Sequence, residues 1–210
     1  MNITWDAKGY TSGFAFVHQY GEDVLGLLDA APGSHVVDLG CGNGVDSLFL
    51  AEQGASPIGC DISREALDAL AARAPGVRTL CFDMTKGLPF ADGAVDVLIA
   101  DLSLHFFPWE TTRAIADEIL RALRPGGLLL CRVNALEDFR QREGDVEVEP
   151  HFYRTGGRDK RFFDEAALRM LLQRFALEKI EHGVTEKYPK CGPKHFWMVA
   201  ARRAERGGRA

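Results

Sequence analysis

The chain has 210 residues, 46% hydrophobic and 26% charged, the profile of one ordinary globular domain rather than a disordered or fibrous chain. Its formal net charge of −5 argues against nucleic acid as the main partner, because phosphate binding needs a basic face. No apolar stretch is long enough to cross a bilayer, and residues 1–10 lack the regions of a signal peptide, so a cytoplasmic protein with no membrane partner is expected.

In chain order, strands alternate with helices. Residues 35–39 form a short apolar run that ends in glycines, and 45–53 read as a helix with Val45, Leu48, Phe49 and Leu50 on its buried side. A strand at 57–60 follows. Ser63 is placed to N-cap a helix that buries Ala66, Leu67 and Leu70 and stops at Pro75-Gly76. Residues 77–82 and 95–100 are two further strand-length runs, and Ile115, Ile119, Leu120 and Leu123 repeat at helical spacing within 110–123. Pro125-Gly126-Gly127 reads as a turn into an apolar strand at 128–133. Continuous apolar runs are expected where helices cover both faces of a sheet. The pattern predicts an α/β fold with a doubly wound, Rossmann-like sheet, mostly parallel, its ligand at the carboxyl ends of the strands.

Beyond Asn134 the texture changes. Residues 135–162 are polar and charged with no clear period and are expected to form an excursion over the ligand side. Asp164 can cap a helix carrying Leu168, Leu171, Leu172 and Phe175, and strands at 177–184 and 195–201 close the domain in antiparallel fashion. Residues 1–203 are read as a single domain, with 204–210 a disordered tail. The cysteines Cys41, Cys60, Cys81, Cys131 and Cys191 are odd in number and form no C-x-x-C pair, so reduced thiols are expected and no metal site.

The most informative segment is Val36-Val37-Asp38-Leu39-Gly40-Cys41-Gly42-Asn43-Gly44, a strand running through close-spaced glycines into a helix. Glycine lets backbone approach a ligand, and a helix N-terminus offers free N–H groups and partial positive charge. Asp61, ending the next strand, can accept the hydroxyls of a ribose. Together they point to an adenosine ligand. A dinucleotide fingerprint would place its third glycine at position 45, which is Val45. Asp38 would repel a pyrophosphate but attract the ammonium of an amino acid. Both details favour S-adenosylmethionine over NAD.

This segment resembles motif I of class I S-adenosylmethionine-dependent methyltransferases, and further matches follow in order. Phe82-Asp83-Met84 resembles the segment after the third strand, where an acid reads the adenine amino group. Residues 95–106 resemble the fourth-strand motif facing the methyl group, and Leu123-Arg124-Pro125-Gly126-Gly127-Leu128 the turn before the fifth strand. Trp5-Asp6-Ala7-Lys8-Gly9-Tyr10 resembles the N-terminal cap of type 11 small-molecule methyltransferases, and residues 194–203 the last strand of tellurite-resistance-type enzymes. The resemblance implies cofactor contacts from Asp38, Gly40, Cys41, Gly42, Asn43, Asp61, Ile62, Asp83, Met84, Asp101 and Leu102. It also implies that Trp5, Tyr10 and Phe16, within a cap over residues 1–30, fold over the cofactor.

The implied activity is methyl transfer to a small, polar or anionic molecule by in-line displacement, in a monomer or homodimer. Asp101 and His105 lie where the methyl group should sit. His105 is read evenly as a base or acceptor-orienting group and as packing beside Phe106, Phe107 and Trp109. Arg132, Asn134, Arg154 and Lys187 are candidates for binding an anionic acceptor, whereas most other charges of the excursion are expected to be solvated. An RNA methyltransferase and a catalytically silent S-adenosylmethionine-binding protein are the alternatives.

Overall fold

The structure is a computed structural model and describes residues 35–140, 143–186 and 192–205. Five parallel strands come first: β1 (Val36–Leu39), β2 (Pro57–Asp61), β3 (Arg78–Cys81), β4 (Val95–Asp101) and β5 (Leu123–Asn134). Between them lie α1 (Val45–Glu52), α2 (Arg64–Arg73) and α3 (Trp109–Ala122). Residues 143–161 contain β6 (Val146–Glu149), β7 (Phe152–Thr155) and β8 (Arg158–Arg161), followed by α4 (Glu165–Leu171), β9 (Phe175–Thr185) and β10 (Lys194–Arg203).

The main sheet runs β3-β2-β1-β4-β5-β10-β9. β10 inserts antiparallel between β5 and β9, so the last strand is internal and β9 forms the edge. The order reverses between β1 and β4, which opens a crevice at their carboxyl ends. Apolar clusters cover both faces. Phe49 and Leu50 of α1 pack on Val36, Val97, Ile99 and Leu130, while Ile115 and Ile119 of α3 and Leu168 of α4 pack on Val37, Leu98 and Leu129. Full burial of each such side chain contributes about 1.5–3 kcal/mol.

Local chemistry sets the helix starts. The Ser63 hydroxyl accepts from the Ala66 amide at 3.2 Å and Asp164 accepts from Ala167 at 2.7 Å, as expected of both caps. α1 differs. Its cap is Gly44, which has no side chain, and the carboxylate of Asp38 reaches over from β1 to accept from Ser47 instead.

Two expectations are corrected. Residues 135–162 were expected to form an excursion with no clear period, yet 146–161 fold into an antiparallel three-stranded sheet, β6-β7-β8. Most of its charges were expected to be solvated, and Arg161, 4% exposed, is an exception. The amphipathic alternation is hidden because a buried arginine, rather than an apolar residue, faces inward opposite Phe152.

Candidate functional site

The glycine loop is pinned before any ligand arrives. The amides of Gly40 and Cys41 both donate to the Cys60 carbonyl, at 2.7 and 2.9 Å, locking the loop to the end of β2. Gly42 donates its amide to Asp61 Oδ2 at 2.8 Å, and Ser63 donates to Asp61 Oδ1 at the same distance. Asp61 thus ties the loop to the start of α2 and keeps acceptor capacity for hydroxyl groups. Beside it Ile62 is 68% exposed, an apolar face at the crevice rim.

Gly40 and Gly42 have positive φ, +75° and +51°. A Cβ on Gly40 would stand 2.4 Å from the Cβ of Ser103 and 3.4 Å from the methyl of Met84. A Cβ on Gly42 would meet no described residue within 4 Å. Asn43 is exposed, and its carbonyl accepts from Arg73 at 3.0 Å. Asp83 accepts from the amide and hydroxyl of Thr85, and these bonds hold its carboxyl below the usual carboxylate range.

Asp38, expected to attract an ammonium, has its Oδ2 committed to Ser47: the hydroxyl donates at 2.6 Å and the amide at 3.1 Å. Burial pushes its carboxyl up to about 7, against the lowering effect of Ser47. Burial also pushes the Cys41 thiol up, which makes it packing rather than a nucleophile.

At the end of β4 Asp101 meets Arg132 of β5 through two hydrogen bonds of 2.7 and 2.8 Å, and that guanidinium lies 5.4 Å from the centre of the Phe196 ring. Leu102 follows with φ +48° and donates its amide to the Arg132 carbonyl at 2.9 Å. A leucine in the left-handed region is strained, and the hydrogen bond of its amide to Arg132 helps to hold it there. His105 is 4% exposed, its ring 4.1 Å from that of Phe106. Burial, assisted by the Lys160 ammonium, pushes its pKa down to about 3, so the imidazole is neutral. Among the described residues, its Nδ1 and the hydroxyl of buried Ser103 have no hydrogen-bond partner.

The structure therefore brings together Asp38, the glycine loop, Asp61, Asp83, Met84, Asp101, Leu102, His105, Arg132 and Asn134 at one end of the sheet. Arg154 is exposed and bound to Asp159 at 2.8 Å, on the hairpin of β7 and β8. Trp5, Tyr10, Phe16 and Lys187 lie outside the described residues. Ser103 was missed by sequence reasoning. A serine beside apolar neighbours carries no signal until its contact with Gly40 is known.

The residues present fit an adenosyl amino acid. Among the described residues, the backbone at Gly42 is uncrowded, an acid stands at the β2 end, an exposed isoleucine flanks it, and a buried hydroxyl without a partner lies against the loop.

Comparison with known proteins agrees. Residues 36–127 match the family described as "Methyltransferase domain". A demethylmenaquinone methyltransferase of Beutenbergia cavernae is 36% identical over 108 residues, covering 50% of this chain and 43% of that protein. A trans-aconitate 2-methyltransferase of Azoarcus is 32% identical over 128 residues, covering 60% of this chain and 49% of that protein. The chain thus aligns with about half the length of these relatives. A solved S-adenosylmethionine-dependent methyltransferase of Methanosarcina mazei superposes with a TM-score of 0.65 at 26% identity, covering 81% of this chain and 92% of its own.

Proposed function

We propose that this chain, whose residues 36–127 match a methyltransferase domain, is a class I S-adenosylmethionine-dependent methyltransferase and that it methylates a small polar or anionic molecule. The observation that carries this reading is the joined Gly42 amide and Asp61 carboxylate, beside space that no described residue fills, at the switch point of the sheet. S-adenosylmethionine supplies, when bound, a methyl group already activated on a sulfonium. What remains for the protein is binding, alignment and exclusion of water.

Gly40, Cys41, Gly42, Asn43, Asp61 and Ile62 would hold the adenosyl and amino-acid parts, with Asp83 and Met84 at the adenine end. Trp5, Tyr10 and Phe16 are proposed as the lid. The loop after β4 stands on the methyl side, and holding an acceptor in line there can supply roughly 7–11 kcal/mol of the barrier. His105, kept neutral, offers a hydrogen-bonding imidazole rather than a cation. Its low pKa makes it a weak base, which suits an acceptor already ionised at neutral pH. Arg132 and Asn134 at the end of β5 line the acceptor side, the charge of Arg132 being shared with Asp101. Arg154 and Lys187 are proposed as outer contacts that draw in an anion. Demethylmenaquinone and trans-aconitate, named for the two relatives, are not macromolecules, which supports a small-molecule acceptor.

Isothermal titration with S-adenosylmethionine, S-adenosylhomocysteine and NADH tests this, on the wild type and on Asp61→Ala. Binding of the two adenosyl ligands alone, weakened at least about tenfold in the variant, supports the reading. A screen of small carboxylates, phenols, amines and thiols for S-adenosylhomocysteine release then identifies the acceptor. Binding of NADH alone would overturn it.

A further inference from the structure

The inserted sheet β6-β7-β8 packs on the His105 loop, and a buried cation lies at the contact. There the Arg161 guanidinium, 4% exposed, donates to the Phe107 carbonyl at 3.3 Å, to the Pro150 carbonyl at 3.1 Å, and to Glu149 Oε1. The same Glu149 oxygen accepts from the amide of Trp109 at 2.5 Å. Trp109 opens α3, and its cap, Pro108, makes no side-chain hydrogen bond. Glu149 therefore does for α3 what a cap residue would do, from another part of the chain, at a helix end whose dipole favours an anion. The guanidinium also lies 5.4 Å from the Trp109 ring centre and 5.2 Å from that of Phe152.

We infer that Glu149 and Arg161 are positioning residues that fasten the inserted sheet to the loop carrying His105, so that the acceptor-side cover and the methyl-side loop move as one body. This rests on the proposed function for what the two parts cover, but the linkage stands on its own geometry. One fork of donors grips backbone oxygens on both segments, at Phe107 and at Pro150, and its carboxylate partner grips the amide between them. Phe107 is only two residues past His105, whose ring is buried and feels Lys160 of β8. A lysine in place of Arg161 would keep the charge but not the planar fork.

The test uses 15N-labelled histidine in the full chain, with the His105 signals assigned by their loss in His105→Gln. Wild-type His105 should stay neutral down through the acid range in which the protein remains folded. In Arg161→Met and in Glu149→Gln, water should reach the ring, and its midpoint should rise by about one pH unit or more towards 6.5. S-adenosylmethionine affinity should change by less than about twofold in both. If Arg161→Met does not fold, Glu149→Gln, which keeps an oxygen for Trp109, decides alone. Unchanged His105 signals and midpoint, together with a lowered Tm, would overturn the inference and leave the pair as a staple. A wild type that binds no S-adenosylmethionine would instead overturn the proposed function, and the histidine signals would still decide the linkage.

Discussion

Alanine at Gly40 and alanine at Gly42 should separate stability from cofactor binding, although both glycines belong to one loop and both have positive φ. Holding alanine in the left-handed region costs roughly 1–2 kcal/mol, offset by about 0.4–1 kcal/mol from the smaller entropy of the unfolded chain. At Gly42 no described residue lies within 4 Å of the new methyl, so the net loss should be about 1 kcal/mol. At Gly40 the methyl would stand 2.4 Å from the Cβ of Ser103, and overpacking adds about 1–3 kcal/mol. At about 2–4 °C per kcal/mol for a domain of this size, Gly42→Ala should lower Tm by a few degrees and Gly40→Ala by about 5–15 °C. The space at Gly42 that no described residue fills is where the ligand is proposed to lie. Gly42→Ala should therefore weaken S-adenosylmethionine binding at least about tenfold, or about 1.4 kcal/mol. Scanning calorimetry without ligand and isothermal titration with it measure the two effects. Equal losses of Tm in the two variants, or wild-type affinity in Gly42→Ala, would refute the reasoning.

Arg132→Met should cost about 2–3 kcal/mol, less than the 3–5 of a fully buried pair because Asp101 keeps some solvent, and adding Asp101→Asn should recover part of the loss in a denaturant double-mutant cycle. Asp38 and His105 pull stability in opposite directions with pH. The folded pKa of Asp38 is raised to about 7 from an ordinary 3.8, so the folded state holds the extra proton and stability falls as pH rises from about 4 to 7. Asp38→Asn should flatten that fall, as followed by urea unfolding across pH. The folded pKa of His105 is lowered to about 3, so the unfolded state takes up the proton and stability is lost as pH falls below about 6.5. His105→Gln should remove this acid loss, and an unchanged acid limb would show that the ring is hydrated.

Much of the fold is legible along the chain because it depends on neighbours a few residues apart. The apolar run ending at Leu39, the glycines after it and the caps Ser63 and Asp164 each act within one turn or one strand end, and each stands where the pattern places it. The place of Asp61 is legible for the same reason, since it ends β2. Asp38 shows the limit. Its charge suggests an ammonium, but its Oδ2 caps α1 through Ser47, nine residues away, because Gly44 has no side chain to do so. Arg161 reads as one more surface cation until Glu149, Phe107 and Pro150 close around it, and Ser103 carries meaning only against Gly40. The sequence by itself determined the order of the strands and helices of the main sheet, the glycine loop and the acid that follows it, since periodicity, turns and caps are local physics. The tertiary structure alone decided which charges are buried and paired, because desolvation and hydrogen-bond geometry depend on which distant segments meet.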